Sequence, residues 1–226
     1  MVKRLITSSS PYAGPPATSS TPFANLDLHT DMAQPDVPRK HYQMYYSTES
    51  ANDDMMRYDL RTFMIQYLYG KSANNPNNTV SILPSSEASS YALLPHYYVM
   101  PLHSTMPESV SVYPSTIDSL PWLTEEELQV YVSTYQRTTF QGGLNYYRAG
   151  CLGADAGKLQ REKITSPWFF LAPKNDWGPR QIPGQWEGQL EYGCRRVVEI
   201  DGAGHWVQQE KPEAVVQAVQ EILEEH

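Results

Sequence analysis

Three short hydrophobic runs along the chain predict buried β-strands. The first covers residues 2–7 (VKRLIT), the second is the uninterrupted apolar run of residues 168–172 (WFFLA), and the third covers residues 196–200 (RVVEI). Short runs rich in β-branched and aromatic residues, bounded by Pro, Gly or Ser, are typical of strands. The run that is apolar at every position also indicates a strand covered on both faces, as in a parallel sheet.

Apolar residues at three- and four-residue spacing predict helices between and after these strands. One helix begins near residue 50 and ends at Gly70, which is a natural C-terminal cap. Another begins at residues 124–127 (TEEE), which have the form of a capping box. A short helical piece follows at residues 144–150, and Pro212 opens an amphipathic helix at the end of the chain.

The order of these elements predicts an α/β fold. One strand comes first, a mostly helical middle follows, and two strands and a helix come last, so the helical part is an insertion after the first strand of a parallel sheet. We expect residues 1–39 to hold the first strand and a linker, residues 40–160 to form a helical cap, and residues 161–226 to complete the sheet. Within the cap, residues 71–118 show no period and predict a long loop that is a lid, an insertion or a partly disordered segment.

Composition and charge exclude several classes of function. The 226 residues are 40% hydrophobic and carry a formal net charge of −8 with no long basic run, which argues against a nucleic-acid partner. The sequence shows no apolar stretch of membrane-spanning length and no secretory signal, so we expect a cytoplasmic protein without a membrane partner. The two cysteines, Cys151 and Cys194, form no C-x-x-C pair and have no histidine at zinc-ligand spacing, so no metal site is expected.

Two polar residues follow the two later strands closely enough to form a catalytic pair. Asp176 comes just after the run of residues 168–172, and His205 comes just after residues 196–200 in the sequence Gly-Ala-Gly-His. The carboxyl ends of parallel strands meet at one edge of a sheet, where an aspartate can orient a histidine so that its second nitrogen acts as a base. The alternatives are that Asp176 is a turn residue of Asp-Trp-Gly-Pro and that His205 only forms an ordinary hydrogen bond.

Several motifs, in a specific order, resemble the epoxide hydrolases of the α/β-hydrolase superfamily. The segments are PWLTEEELQVYVSTYQRTTFQGGLNYYRAG, WFFLAPKNDWG and GAGHWVQQEKPEAV, together with HYQMYY at the start of the cap. The similarity runs over most of the chain from Val2 onward, although residues 71–118 match poorly. It implies a partial α/β-hydrolase fold that contains the last three parallel strands with their helices, plus the cap inserted after the first of them.

The resemblance also implies a set of roles for four residues. His205 is the base that activates the hydrolytic water, and Asp176 is the acid that orients it. Tyr42 and Tyr147 are the cap tyrosines that hold and protonate the epoxide oxygen, which suits a phenol because it can donate while staying neutral at pH 7. The tyrosines adjacent to them are the alternative assignments: Tyr45, Tyr46 and Tyr146. The expected substrate is a small-molecule epoxide, hydrolysed to a vicinal diol without a cofactor.

The sequence contains neither the family's nucleophile elbow ahead of the cap nor its His-Gly-x-Pro loop. Asp155 lies in a Gly-x-Asp-x-Gly sequence at residues 153–157, but no buried strand precedes it and it follows the cap, so a flexible loop is the better interpretation. We therefore expect a truncated epoxide hydrolase that is inactive as the isolated chain. The alternatives are a short non-catalytic product, such as a degenerate binding protein, and a dehalogenase-like hydrolase of the same fold.

Overall fold

The computed structural model describes residues 2–12, 26–34, 38–151 and 164–225. The chain divides into two compact units, one formed by Met1–Pro16, Lys71–Ser86 and Gly157–His226 and the other by Ala17–Gly70 and Glu87–Ala156. These boundaries differ from the predicted domains, because residues 71–86 belong to the unit that holds the sheet and residues 17–39 belong to the other unit.

The helices and strands of the described residues follow one another along the chain in a fixed order. They are β1 (Leu5–Ser8), α1 (Leu26–Ala33), β2 (Arg39–His41), α2 (Tyr42–Tyr46), α3 (Ala51–Met56), α4 (Leu60–Gly70), α5 (Ala88–Tyr91), β3 (Val99–Pro101), α6 (Met106–Val110), α7 (Glu125–Thr138), α8 (Gln141–Cys151), β4 (Trp168–Pro173), α9 (Gln185–Glu191), β5 (Cys194–Ile200), α10 (Val207–Glu210) and α11 (Pro212–Glu224).

A parallel sheet forms the centre of the first unit. Within the described residues its strand order is β1-β4-β5, with Leu5 opposite Trp168 and Pro173 opposite Ile200. All three strands that the hydrophobic runs predict are therefore present, and they are parallel as expected. The α/β fold class is confirmed.

Strand β4 is buried on both faces, as its uninterrupted apolar sequence predicts. On one face Phe169 and Leu171 pack with Ile200 and with Val207 and Ile222 of the C-terminal helices. On the other face a second group packs together: Trp168, Phe170, Ala172 and Cys194. Alternate side chains of a strand point to opposite faces, so both clusters are anchored by the same six-residue strand.

The second unit is mostly helical. Helix α4 packs against α7, and the apolar faces of the two helices bury Phe63, Leu68 and Leu128. The predicted capping box of α7 is present, since Thr124 Oγ1 accepts from Glu127 N at 3.2 Å and Glu127 Oε2 accepts from Thr124 N at 2.9 Å. No helix in the described part of the chain is long and apolar enough to cross a membrane.

Two predictions about residues 50–118 are wrong in detail. The single helix expected to end at Gly70 is two helices, α3 and α4. The break occurs because the Asp59 carboxylate accepts a hydrogen bond from Thr62 N at 2.8 Å, which caps the start of α4. Residues 71–118 are also more ordered than a loop, since they contain α5, α6 and β3, which pairs antiparallel with β2.

Candidate active site

The loop that carries His205 follows β5 and turns sharply. Gly202 has a φ of +65°, a conformation that glycine adopts without strain. Gly204 lies against the backbone of residues 71–73, where an added Cβ would come within 2.6 Å of Ala73 N. His205 N donates to the Lys71 carbonyl at 3.0 Å. The Gly-Ala-Gly-His sequence therefore places the histidine on a backbone that fits closely against another segment of the same unit.

The loop that carries Asp176 follows β4 and is hydrogen-bonded to the histidine loop. Lys174 N donates to the Ile200 carbonyl at 3.1 Å, and Asn175 N donates to the Ala203 carbonyl at 2.9 Å. These bonds extend the pairing of β4 and β5 beyond the strand ends. The two loops therefore leave the sheet side by side, which brings Asp176 next to His205.

Asp176 and His205 form a hydrogen-bonded pair. His205 Nδ1 lies 3.1 Å from Asp176 Oδ2 and 3.2 Å from Oδ1, so the predicted proximity of the two side chains is confirmed. The carboxylate is 3% exposed and the imidazole 27% exposed. In the tautomer that lets the carboxylate accept this hydrogen bond, Nδ1 carries the proton and Nε2 carries the lone pair.

The Asp176 carboxylate also accepts a backbone hydrogen bond, from a closely packed turn that the sequence does not reveal. Gly178 N donates to Oδ1 at 2.8 Å, and a Cβ at Gly178 would lie 2.5 Å from the Ser9 carbonyl. Ser9 follows β1, has a φ of 62°, and its hydroxyl lies 3.4 Å from the His205 carbonyl. All three strands of the sheet thus contribute their following residue or loop to the site.

Tyr42 and Tyr147 lie together in the second unit, although they are far apart in sequence. Tyr42 opens α2 and Tyr147 lies in α8, and their ring centroids are 5.8 Å apart in an edge-to-face arrangement. Burial raises the pKa of Tyr42 to about 12, while hydrogen bonds from Gln43 and Tyr147 act in the opposite direction. The expectation that both hydroxyls face His205 stays a prediction.

The neighbouring tyrosines differ from this pair in exposure. Tyr146 is 81% exposed and Tyr45 is buried. Tyr46 is also buried; its ring lies 5.0 Å from that of Tyr147, and its hydroxyl lies 3.4 Å from the hydroxyl of Tyr67. Burial, followed by the nearby Tyr67 hydroxyl, raises the pKa of Tyr46 well above its ordinary value. Tyr46 thus extends the tyrosine cluster inward from Tyr42 and Tyr147.

Three other candidate features are a metal site, a cavity and Asp155. Among the described residues no group of three or more His, Cys, Asp or Glu side chains is placed to hold a metal ion. A cavity of about 450 Å³ in the second unit is lined by residues such as Tyr58, Arg61 and Gln136. Asp155 lies outside the described residues.

Comparison with known proteins points to one kind of relative, although no protein-family model matches the chain. Epoxide hydrolase A of Mycobacterium tuberculosis (strain ATCC 25618 / H37Rv) is 36% identical over 115 residues, which are 47% of this chain and 36% of the relative. Epoxide hydrolase B of the same organism is 25% identical over 198 residues, which are 83% of this chain and 54% of the relative.

Solved structures agree with these relatives. An epoxide hydrolase from an endophytic Streptomyces matches with a TM-score of 0.74 and 20% identity, over 99% of this chain and 61% of that chain. Epoxide hydrolase A from Mycobacterium thermoresistibile matches with a TM-score of 0.66 and 27% identity, over 98% of this chain and 61% of that chain. The chain is similar to epoxide hydrolases and has part of their α/β-hydrolase fold.

The chain corresponds to part of each relative. The chain spans 36% and 54% of the length of the two M. tuberculosis epoxide hydrolases. What the chain itself contributes is the hydrogen-bonded Asp176–His205 pair in one unit and the tyrosine cluster in the other.

Proposed function

We propose that this chain carries the acid–base machinery and the cap of an epoxide hydrolase, which converts an epoxide and water into a vicinal diol. The observation that carries the proposal is the hydrogen bond of 3.1 Å between His205 Nδ1 and the buried Asp176 carboxylate. In this mechanism His205 Nε2 removes a proton from a water molecule, and Asp176 orients the ring and stabilises the imidazolium that forms.

The water attacks a covalent ester in the proposed reaction. A carboxylate nucleophile opens the epoxide and forms the ester, and the activated water then cleaves the ester to release the diol. Tyr42 and Tyr147 donate to the epoxide oxygen as the ring opens, which stabilises the developing alkoxide. A small-molecule epoxide is therefore the proposed substrate.

A chimera tests this proposal directly. The N-terminal part of M. tuberculosis epoxide hydrolase B, up to the point where its similarity to this chain begins, is fused to residues 1–226, and diol formation from styrene oxide is measured. We expect His205→Ala to lower turnover by roughly 100- to 10,000-fold, the usual range for loss of a general base. The matched control is His103→Ala, because His103 is an exposed loop histidine.

Mass spectrometry separates the two chemical steps of the same chimera. In the His205→Ala variant the ester should accumulate, since formation of the ester does not need the base, and the protein mass should rise by the mass of one substrate molecule. A soluble chimera that forms no diol, or a His205→Ala variant that turns over normally, would refute the proposed function.

A further inference from the structure

The carboxylate of Glu210, in the first unit, accepts four hydrogen bonds from described residues. Oε2 accepts from Gly204 N at 3.1 Å, from Ala73 N at 2.8 Å and from the Ser72 hydroxyl at 3.0 Å. Oε1 accepts from Trp206 N at 3.1 Å. Glu210 is the last residue of the short helix α10, and it reaches back to the loop that precedes that helix.

Two of these bonds hold the backbone on either side of His205, the proposed base. Gly204 and Trp206 are the residues immediately before and after His205, so the carboxylate holds the backbone on both sides of the histidine. The His205 N–H itself donates to Lys71 O at 3.0 Å. Three consecutive N–H groups are thus fixed, and hydrogen bonds to an ionised acceptor are roughly twice as strong as those between neutral groups.

The other two bonds tie the histidine loop to residues 71–78, a segment far away in sequence. The same segment contacts the acid loop, because the Asn78 side-chain amide donates to the Asn175 carbonyl at 2.9 Å and to the Ser72 carbonyl at 3.3 Å. Asn78 is buried. One segment therefore touches the residue before Asp176 and, through Glu210, the residues on both sides of His205.

We propose that Glu210 is a positioning residue for His205, acting with residues 71–78 to set the geometry of the Asp176–His205 hydrogen bond. The inference rests on the proposed function for its catalytic meaning. The structural role does not depend on that function. Without the Glu210 carboxylate, the backbone N–H groups of Gly204 and Trp206 lose their acceptor, and the imidazole loses its fixed position relative to the Asp176 carboxylate.

Nuclear magnetic resonance tests this role through two signals, in the 15N-labelled 226-residue chain that is co-expressed with the N-terminal part of M. tuberculosis epoxide hydrolase B to keep it soluble. One is the imidazole Nδ1–H resonance of His205, and the other is the hydrogen-exchange rate of the Gly204 and Trp206 amides. Glu210→Gln keeps the size of the side chain but removes its charge, which weakens every bond to it, and replaces one of the two acceptor oxygens by an NH2 group that faces other donors. We expect about tenfold or faster exchange at both amides and loss or broadening of the Nδ1–H signal.

The matched control is Glu221→Gln, the same chemical change in the same unit. Glu221 accepts from the Gln217 side chain on the exposed face of helix α11, and its replacement should leave the His205 signals unchanged. The β4 amides provide a second reference. If they exchange faster by the same factor as Gly204 and Trp206 in Glu210→Gln, the residue acts on global stability and the positioning role is refuted.

Glu210→Asp keeps the experiment decisive if Glu210→Gln does not fold. Aspartate retains the charge with a side chain one methylene shorter, so the Nδ1–H signal should be partly retained and amide exchange should be intermediate. Signals identical to those of the unmodified protein in Glu210→Asp, or in a folded Glu210→Gln, would overturn the inference. Because no substrate is needed, this result is separate from diol formation by the chimera, whose failure would refute the proposed function alone.

Discussion

The imidazole of His205 is constrained both through its ring and through its backbone. Asp176 accepts from the ring, while Lys71 and Glu210 hold the backbone at and beside the histidine. The Asp176 side chain is 3% exposed and the His205 side chain 27% exposed. A buried carboxylate that keeps a partner for its charge can orient an imidazole that solvent still reaches, which is the arrangement a general base requires.

The phenol of Tyr42 offers a measurement of the environment of the tyrosine cluster. Burial raises the pKa of Tyr42 to about 12, whereas an unfolded tyrosine has a pKa of about 10. The stabilisation linked to this shift is fully present below about pH 10 and is lost as the pH rises through about 12. We expect the tyrosinate absorbance that disappears in Tyr42→Phe to have a native-state midpoint well above 10.

The denatured chain provides the internal control for that titration. In denaturant, the absorbance difference between the unmodified protein and Tyr42→Phe should have its midpoint near the ordinary value of about 10. A native midpoint equal to the denatured one would show that Tyr42 is solvated, and would remove the argument that this phenol stays neutral as a donor.

At the level of single residues, the sequence predicts the Asp176–His205 pair but not the Glu210 hydrogen bonds that hold the histidine loop. Asp176 and His205 each follow a hydrophobic run, so parallel strands suffice to bring them together. Glu210 acts through partners 137 and 138 positions away in the chain, Ala73 and Ser72. No local pattern encodes such a contact, because it depends on the tertiary path of residues 71–78.

The helices of the second unit show how local signals fix the ends of elements. The capping box at Thr124 and Glu127 satisfies backbone donors at the start of α7, and three acidic residues occupy its first turn. Asp59 similarly starts α4 within a region whose apolar spacing alone predicts one continuous helix. Capping side chains therefore decide where helices begin when hydrophobic periodicity does not.

Thr124→Ala tests the contribution of the α7 cap. Loss of the threonine hydroxyl leaves Glu127 N without its acceptor, so we expect the free energy of unfolding to fall by about 1 kcal/mol. Urea unfolding followed by circular dichroism measures this change. Thr134→Ala, at an exposed position inside α7, is the control and should change the stability by less than about 0.5 kcal/mol. Equal effects of the two substitutions would contradict a special role for the cap.

Elements with strong local patterns are predictable and those formed by distant pairing are not. β4 is apolar at every position, and α11 begins at Pro212 as its sequence indicates. In contrast, β2 and β3 have three residues each and pair across more than fifty positions, with His41 opposite Val99. Strands this short show no alternation, so they are defined by their partner rather than by their own sequence.

At the scale of the whole molecule, each unit is built from separate stretches of the chain. The first unit combines the start, residues 71–86 and the end of the sequence, and the described part of its sheet pairs β1 on one side only, with β4. Among the described residues, no strand pairs with the other side of β1. An unpaired edge of this kind favours association, and parallel sheets are stable chiefly when covered on both faces.

The 226 residues by themselves should therefore form no diol at a useful rate. The sequence holds no nucleophile elbow ahead of the cap, and loss of the nucleophile from a hydrolase triad can cost on the order of a million-fold in turnover. We also expect low solubility, with improvement when the N-terminal part of a relative is co-expressed, because that part can pair with the free edge of β1. Incubation of the purified chain with styrene oxide measures the diol directly, and turnover that Asp155→Asn abolishes would identify an internal nucleophile and contradict this prediction.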